Sequence, residues 1–84
     1  MYFVYIIRCN DSALYTGITR NIRKRLLEHS VGAVPFTKNR RPIRLTFYEV
    51  FDDRISAAKR EKEIKGWRRE KKEDLIKKFT LSRS

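Results

Sequence analysis

The chain opens on an apolar run, Tyr2-Phe3-Val4-Tyr5-Ile6-Ile7, followed by the polar cluster Asn10-Asp11-Ser12 and a second β-prone segment, Leu14-Tyr15-Thr16-Gly17-Ile18-Thr19. Two strand-forming segments around an Asn/Asp/Ser turn predict a β-hairpin. An odd-length turn over Asn10 to Ser12 pairs Cys9 with Ala13 and Tyr5 with Gly17. Side chains alternate along strands, so Tyr5 and Tyr15 fall on one face, and Gly17 leaves open space opposite Tyr5. Two such phenols are either core residues with a hydrogen-bonded hydroxyl or the walls of a pocket, and the hairpin alone leaves both readings open.

Asn21 is the expected N-cap of a helix over Ile22 to Ser30, and Gly32 its C-terminal stop. At about 100° per residue, Ile22 and Leu26 form the buried stripe, while Arg25 and His29, an i,i+4 pair, lie along one edge of it and face the sheet. Residues 32 to 42 contain both prolines and no usable period; they are expected as an exposed loop that carries Lys38, Arg40 and Arg41. Ile43 to Phe51 alternates at first and is rich in strand formers, which predicts a third strand. Asp53 caps a helix to about Lys65, stopped by Gly66, and a last helix from about Arg69 to Phe79 buries Leu75, Ile76 and Phe79. The order β-β-α-β-α-α predicts an α+β fold: a three-stranded antiparallel sheet flanked by about three helices, in a single domain over residues 1–79 with a frayed tail at 80–84.

Length and charge narrow the partner. At 84 residues the chain suits one small domain with one modest core. Its 21 Lys+Arg against 10 Asp+Glu leave a formal charge of +11, far beyond what solubility needs, so a polyanion is the natural partner, with nucleic acid ahead of an anionic membrane surface. No segment approaches the roughly 20 apolar residues of a membrane span, and the N-terminal apolar run lacks the flanks of a signal peptide; a cytoplasmic location is expected. Between Arg20 and Arg44 there are eight basic residues and one acid, Glu28. The positive field is therefore concentrated beside the hairpin, and Arg20, Arg23, Lys24, Lys38, Arg40 and Arg41 are the expected nucleic-acid contacts. Cys9, the lone cysteine, excludes an internal disulfide and a multi-cysteine zinc site, and reads as a small core residue.

On a helical wheel of residues 53 to 65, Ala57, Ala58 and Ile64 define the inward face, with Glu61 in its middle. A carboxylate aimed at a sheet is costly unless a cation receives it. Two receivers are available: the guanidinium of Arg25, in a buried ion pair, or a divalent metal facing a phosphate that Arg25 holds.

Taken together, Phe3-Val4-Tyr5, Tyr15-Thr16-Gly17, Asn21 to Arg25 with His29, and the helix around Glu61 resemble the GIY-YIG nuclease superfamily, and within it the small single-domain bacterial members of the UPF0213 group. The resemblance runs from Tyr2 to about Phe79. Phe3 and Val4 stand where the name motif has Gly and Ile, and Thr16 where it has Ile. The polar residue, often Asn, that many family nucleases supply after the metal-binding helix has no evident match. The resemblance implies that Tyr5 and Tyr15 are the motif tyrosines, Arg25 the phosphate-binding arginine, His29 an auxiliary polar residue and Glu61 the ligand of one divalent ion, Mg²⁺ or Mn²⁺. It implies a metal-dependent endonuclease-like domain that hydrolyses DNA phosphodiesters to 5′-phosphate and 3′-hydroxyl ends, monomeric by default. The alternative is a non-catalytic nucleic-acid-binding module on the same fold. For Tyr5 or Tyr15 to serve as the base, cations must lower a phenolic pKa from about 10, the direction in which Arg25, a metal and the basic surroundings act.

Overall fold

The computed structural model describes residues 1–83. The predicted hairpin is present as β1 (Tyr2–Arg8) and β2 (Leu14–Thr19), followed by α1 (Ile22–Ser30), α2 (Pro35–Lys38), β3 (Arg44–Phe51), α3 (Arg54–Lys65) and α4 (Arg69–Arg83). The three strands form one antiparallel sheet in the order β2-β1-β3, so the fold is α+β, with four helices in place of the expected three.

Central placement explains the unbroken apolar run of β1, because a strand covered on both faces has no polar side to alternate with. Val4 and Ile6 pack with Phe47, Ala57, Ile64 and Ile76 under α3 and α4, whereas Tyr5, Ile7 and Cys9 pack on the other face with Ile22 and Leu26 of α1. The turn has the expected odd length. The Cys9 N–H donates to the Ala13 carbonyl at 2.8 Å and the Ser12 N–H to the Cys9 carbonyl at 2.9 Å, with Ser12 in the left-handed region at φ 69°. This three-residue loop closes with a left-handed residue and sets Tyr5 opposite Gly17. Between β1 and β3 the register shifts at Ile6/Ile7, which leaves Thr46 unpaired as a bulge; its hydroxyl donates to the Ile6 carbonyl at 3.0 Å.

Helix ends fall where the caps put them. The Asn21 side chain accepts from the Lys24 N–H at 3.1 Å, and that of Asp53 from the Ser56 N–H at 2.8 Å. Past Ser30, Gly32 takes φ +84°, its N–H reaches the His29 carbonyl at 3.2 Å, and the Ala33 N–H reaches the Glu28 carbonyl at 2.9 Å. That paired closure ends α1 just beyond His29 and turns the chain back beneath it.

Three expectations need correction. The span from 32 to 42 contains α2, with Pro35 at its start and Val34 and Thr37 buried; a four-residue helix is too short to show a period. Ala58 is exposed, and the inward face of α3 is carried by Ala57 and Ile64. α4 continues through Arg83 rather than ending at Phe79, with the Thr80 hydroxyl on the Ile76 carbonyl at 3.0 Å; Ser84 lies outside the described residues. Among the described residues no helix is long and apolar enough to cross a membrane.

Thr16 carries a buried hydroxyl with no hydrogen-bond partner among the described residues. A hydroxyl in that position forfeits roughly 1–3 kcal/mol of desolvation. Thr16→Val is therefore expected to hold or raise the melting temperature, by about 4–8 °C for each 1 kcal/mol recovered in a domain of this size. A clear fall in a thermal melt would show that the hydroxyl has a partner in solution.

Candidate active site

The sheet register and the two short helices bring four side chains into one buried chain of hydrogen bonds. Tyr5 is wholly covered, and its ring lies against the bare backbone of Gly17: a Cβ added there would sit 2.5 Å from Oη and 2.6 Å from Cζ of Tyr5. The space expected to be open over Gly17 is thus filled by the tyrosine itself. α1 supplies the next two members. His29, also wholly buried, places Nε2 3.2 Å from Tyr5 Oη, and Arg25 Nε donates to the same oxygen at 3.3 Å. α2 supplies the last member, since His29 Nδ1 lies 2.8 Å from Thr37 Oγ1, which in turn reaches the Val34 carbonyl at 3.4 Å.

Counting donors assigns the protons. With the Thr37 hydroxyl donating to Val34, its oxygen accepts from His29 Nδ1–H; Nε2 then carries the lone pair and accepts from the Tyr5 hydroxyl, whose oxygen accepts from Arg25. Each side-chain polar atom of Tyr5, His29 and Thr37 has a partner in this arrangement. The opposite tautomer leaves the phenolic proton without an acceptor, whereas the Val34 carbonyl keeps the Thr37 and Lys38 N–H groups at 3.2 and 3.0 Å in either case. The neutral Nε2 of His29 is therefore the natural destination of the Tyr5 proton.

The electrostatics hold this chain at rest. Burial lowers the His29 pKa, the Arg25 charge lowers it further, and Glu28 opposes both. Burial raises the Tyr5 pKa, with the Arg25 hydrogen bond and charge pulling it down and the charges of Tyr15 and Glu61 pushing it up. This corrects the expectation of a lowered value at Tyr5: the desolvation of a wholly covered phenol outweighs its one cation. Even ordinary values of about 10 and 6.5 separate phenol from imidazole by roughly 5 kcal/mol, so both stay neutral in the free protein. The Arg25 pKa is raised, first by its bond to Tyr5 and then by that to Glu28.

Tyr15 stands beside this chain and is only half-buried, its ring centroid 5.0 Å from that of His29 and 6.3 Å from that of Tyr5, with Phe36 at 5.3 Å on its outer side. Glu61 comes from the layer on the other face of the sheet. Its side chain is 19% exposed and pairs with Lys65 at 3.3 Å. The Arg25–Glu61 ion pair weighed from the sequence is not formed; Arg25 Nη1 binds Glu28 Oε1 at 3.0 Å instead. Glu61 nonetheless lies close enough for its charge to act on Tyr5. Beside Arg25, a cavity of ≈ 350 Å³ opens between Thr19, Arg20, Asn21, Lys24 and Glu28.

Of the predicted basic contacts, Arg23, Lys24 and Lys38 are exposed, with no side-chain partner among the described residues. The Arg20 guanidinium lies 5.2 Å from the Tyr2 ring centroid. Arg40 and Arg41 have internal duties: Arg40 pairs with Asp11 at 2.9 Å and covers Phe36, and Arg41 donates to the Ser30 and Lys38 carbonyls at 3.2 and 3.0 Å. Both clasp α2 to its neighbours. Two members of the site were not singled out from the sequence. Glu28 had a usable signal, as the one acid of the basic run and an i,i+3 neighbour of Arg25; Thr37 had none.

A family model for the GIY-YIG catalytic domain matches residues 1–74, and the chain belongs to that family, whose domains are of nuclease type and act on nucleic acid. Its relatives are UPF0213 proteins. It is 45% identical over 76 residues to UPF0213 protein SSP2268 of Staphylococcus saprophyticus, which spans 89% of this chain and 93% of that one. It is 42% identical over 80 residues to UPF0213 protein HQ_3675A of Haloquadratum walsbyi, covering 94% and 90%. The solution NMR structure of UPF0213 protein BH0048 from Bacillus halodurans matches with a TM-score of 0.61 and 35% identity, over 92% of this chain and 84% of that one.

His29 is the chain's one histidine, so its titration can be isolated. With its folded pKa lowered, the unfolded chain binds more protons as pH falls through about 6.5, and stability present above that pH is lost on the acid side. Melting temperature is expected to fall between pH 7.5 and 5.5 in the wild type and to flatten in His29→Gln. Equal slopes would show that His29 is not held neutral. Gly17→Ala is expected to cost roughly 1–3 kcal/mol through the clash with Tyr5; a thermal melt unchanged from wild type would mean that the ring does not seat on Gly17.

Proposed function

We propose that the chain is a divalent-metal-dependent endonuclease-like domain that hydrolyses DNA phosphodiesters. The observation that carries this reading is the buried Thr37–His29–Tyr5 chain ending on Arg25, whose side chain is one-third exposed. A network that serves only stability has no need to hold a phenol against an imidazole lone pair and present a cation at its open end. It is the layout that proton transfer from a phosphate-bound reactant requires.

In this mechanism the Arg25 guanidinium binds the scissile phosphate, exchanging Glu28 and Tyr5 for phosphate oxygens, and that exchange uncovers the Tyr5 hydroxyl. Tyr5 accepts the proton of the attacking water as its own proton passes to His29 Nε2. Thr37 keeps Nδ1 protonated, so His29 receives at one nitrogen only. Tyr15, half-exposed beside both, lines the approach. Arg25 neutralises charge on the pentavalent phosphate.

Glu61 fits the role of metal ligand by its chemistry: a hard carboxylate oxygen, largely covered, within electrostatic reach of Tyr5 and committed only to an exposed lysine. No group of three or more His, Cys, Asp or Glu gathers to hold a metal among the described residues, so Glu61 would hold a Mg²⁺ or Mn²⁺ ion as its one protein carboxylate, with water and substrate supplying the remaining oxygens. Such an ion supplies charge that lowers phenol and water pKa values and stabilises the leaving oxygen.

The test is cleavage of an oligonucleotide with and without Mn²⁺. Glu61→Gln is expected to abolish metal-dependent cleavage while leaving the melt nearly unchanged, because it keeps the shape of the side chain and gives up only an i,i+4 pair with an exposed lysine, about 0.3–0.5 kcal/mol. Tyr5→Phe and Arg25→Ala are expected to lose cleavage by 10²-fold or more while retaining most metal-free binding. Full activity in Glu61→Gln, with Mn²⁺ dependence intact, removes the metal assignment; full activity in Tyr5→Phe removes the proton path.

A further inference from the structure

The opposite edge of the sheet carries a second basic concavity that the cleavage chemistry does not use. Arg8 of β1 and Arg44 of β3 are direct cross-strand partners, so two guanidinium side chains start from one face of adjacent strands. Like charges placed directly opposite destabilise a sheet. The fold relieves one of them: Glu73 binds Arg8 through both oxygens, at 2.9 and 2.5 Å, and also takes Arg69 at 3.1 Å. Arg44 is exposed, and its side chain has no hydrogen bond, ion pair or ring contact among the described residues. It lines a cavity of ≈ 570 Å³ together with Arg8, Arg83 of α4, and Thr46 and Thr80. A second cavity of ≈ 450 Å³ continues from it and shares Arg8 and Arg44. No carboxylate lines either one among the described residues. The Arg83 guanidinium is braced over the rings of Tyr48 and Phe79, at 5.3 and 5.2 Å from their centroids, and the bulge at Thr46 sets a hydroxyl-bearing residue between the two arginines and α4.

We infer that this groove is a second phosphate-binding site, built on Arg44 and Arg83, that holds the sugar–phosphate backbone of the same nucleic acid at a point remote from the scissile bond. The anion supplies the partner that Arg44 lacks and relieves its repulsion with Arg8. Cavities with donors on opposite walls and no acid between them suit a diester, which carries one charge and several acceptor oxygens. The candidate active site lies toward β2 on the face of the sheet that α1 covers, and this groove toward β3 on the face that α4 covers. Substrate is therefore held at two places on one small domain. The inference rests on the nucleic-acid reading above for its partner and is independent of catalysis.

The experiment measures binding of a 20-nucleotide single strand and of its duplex, without metal, across a salt series, for wild type, Arg44→Ala and Lys59→Ala. Lys59 is exposed on α3 and lines neither cavity, so its variant removes the same charge elsewhere. Arg44→Ala is expected to weaken binding several-fold and to reduce the log–log salt slope by about 1, with a melt level with or above wild type. Lys59→Ala is expected to change both much less. Equal effects of the two variants overturn the groove and leave only general charge, whereas wild-type protein that fails to bind nucleic acid overturns the partner reading itself. A titration with inorganic phosphate, followed by amide NMR at residues 44 to 46, separates the sources. Shifts there with free phosphate, together with wild-type oligonucleotide binding by Arg44→Ala, would assign a free-anion site and overturn the backbone assignment.

Discussion

The site depends on one close approach, that of the Tyr5 ring to the backbone of Gly17. Any side chain at position 17 would take the volume the phenol fills, and its hydroxyl would lose its seat between His29 and Arg25. The approach is set by register, because a shift of one residue would send Tyr5 to the other face of the sheet. Register is set by the three-residue turn, whose left-handed Ser12 closes the hairpin on Ala13. A local backbone choice at the tip of the hairpin is in this way transmitted to a buried proton path several residues away, and the central strand, packed on both faces, keeps that path rigid.

Around this seat the protein places its polar groups economically. Tyr5, His29 and Thr37 are wholly covered, and covered polar groups are tolerable only when each donor finds an acceptor. Arg25 is the member that joins the covered chain to solvent, and Glu28, the one acid in a strongly basic stretch, sits on it. That carboxylate occupies the guanidinium edge that a phosphate oxygen would take. In the free protein this hydrogen-bonded chain is thus complete, with burial favouring the neutral phenol and the neutral imidazole and two internal partners occupying the arginine.

Positive charge is likewise divided by use. Arg40 and Arg41 spend theirs on fastening α2, the short helix that supplies Thr37, while Arg23, Lys24 and Lys38 have no side-chain partner among the described residues. On the far edge Glu73 neutralises Arg8 and leaves Arg44 unpaired. The net charge is therefore a poor guide to which cations meet a ligand, since several of them act as internal braces.

Local pattern determined most of the secondary structure. The hairpin and its pairing, the caps at Asn21 and Asp53, the stops at Gly32 and Gly66, the third strand and the order of elements apart from α2 follow from turn chemistry, capping and periodicity, which act over a few residues. The grouping of Tyr5, Arg25 and His29 was legible too, because an odd turn and an i,i+4 spacing each place side chains by short-range geometry. Only the tertiary structure decided what those side chains touch. Thr37 lies in a stretch with no period and reaches His29 because the closure at Gly32 folds the chain back; Glu61 pairs with Lys65 and not Arg25 because α1 and α3 lie on opposite faces of the sheet. The sign of the Tyr5 shift was also undecided by sequence, because desolvation measures how completely distant segments cover a group, and no local pattern records that.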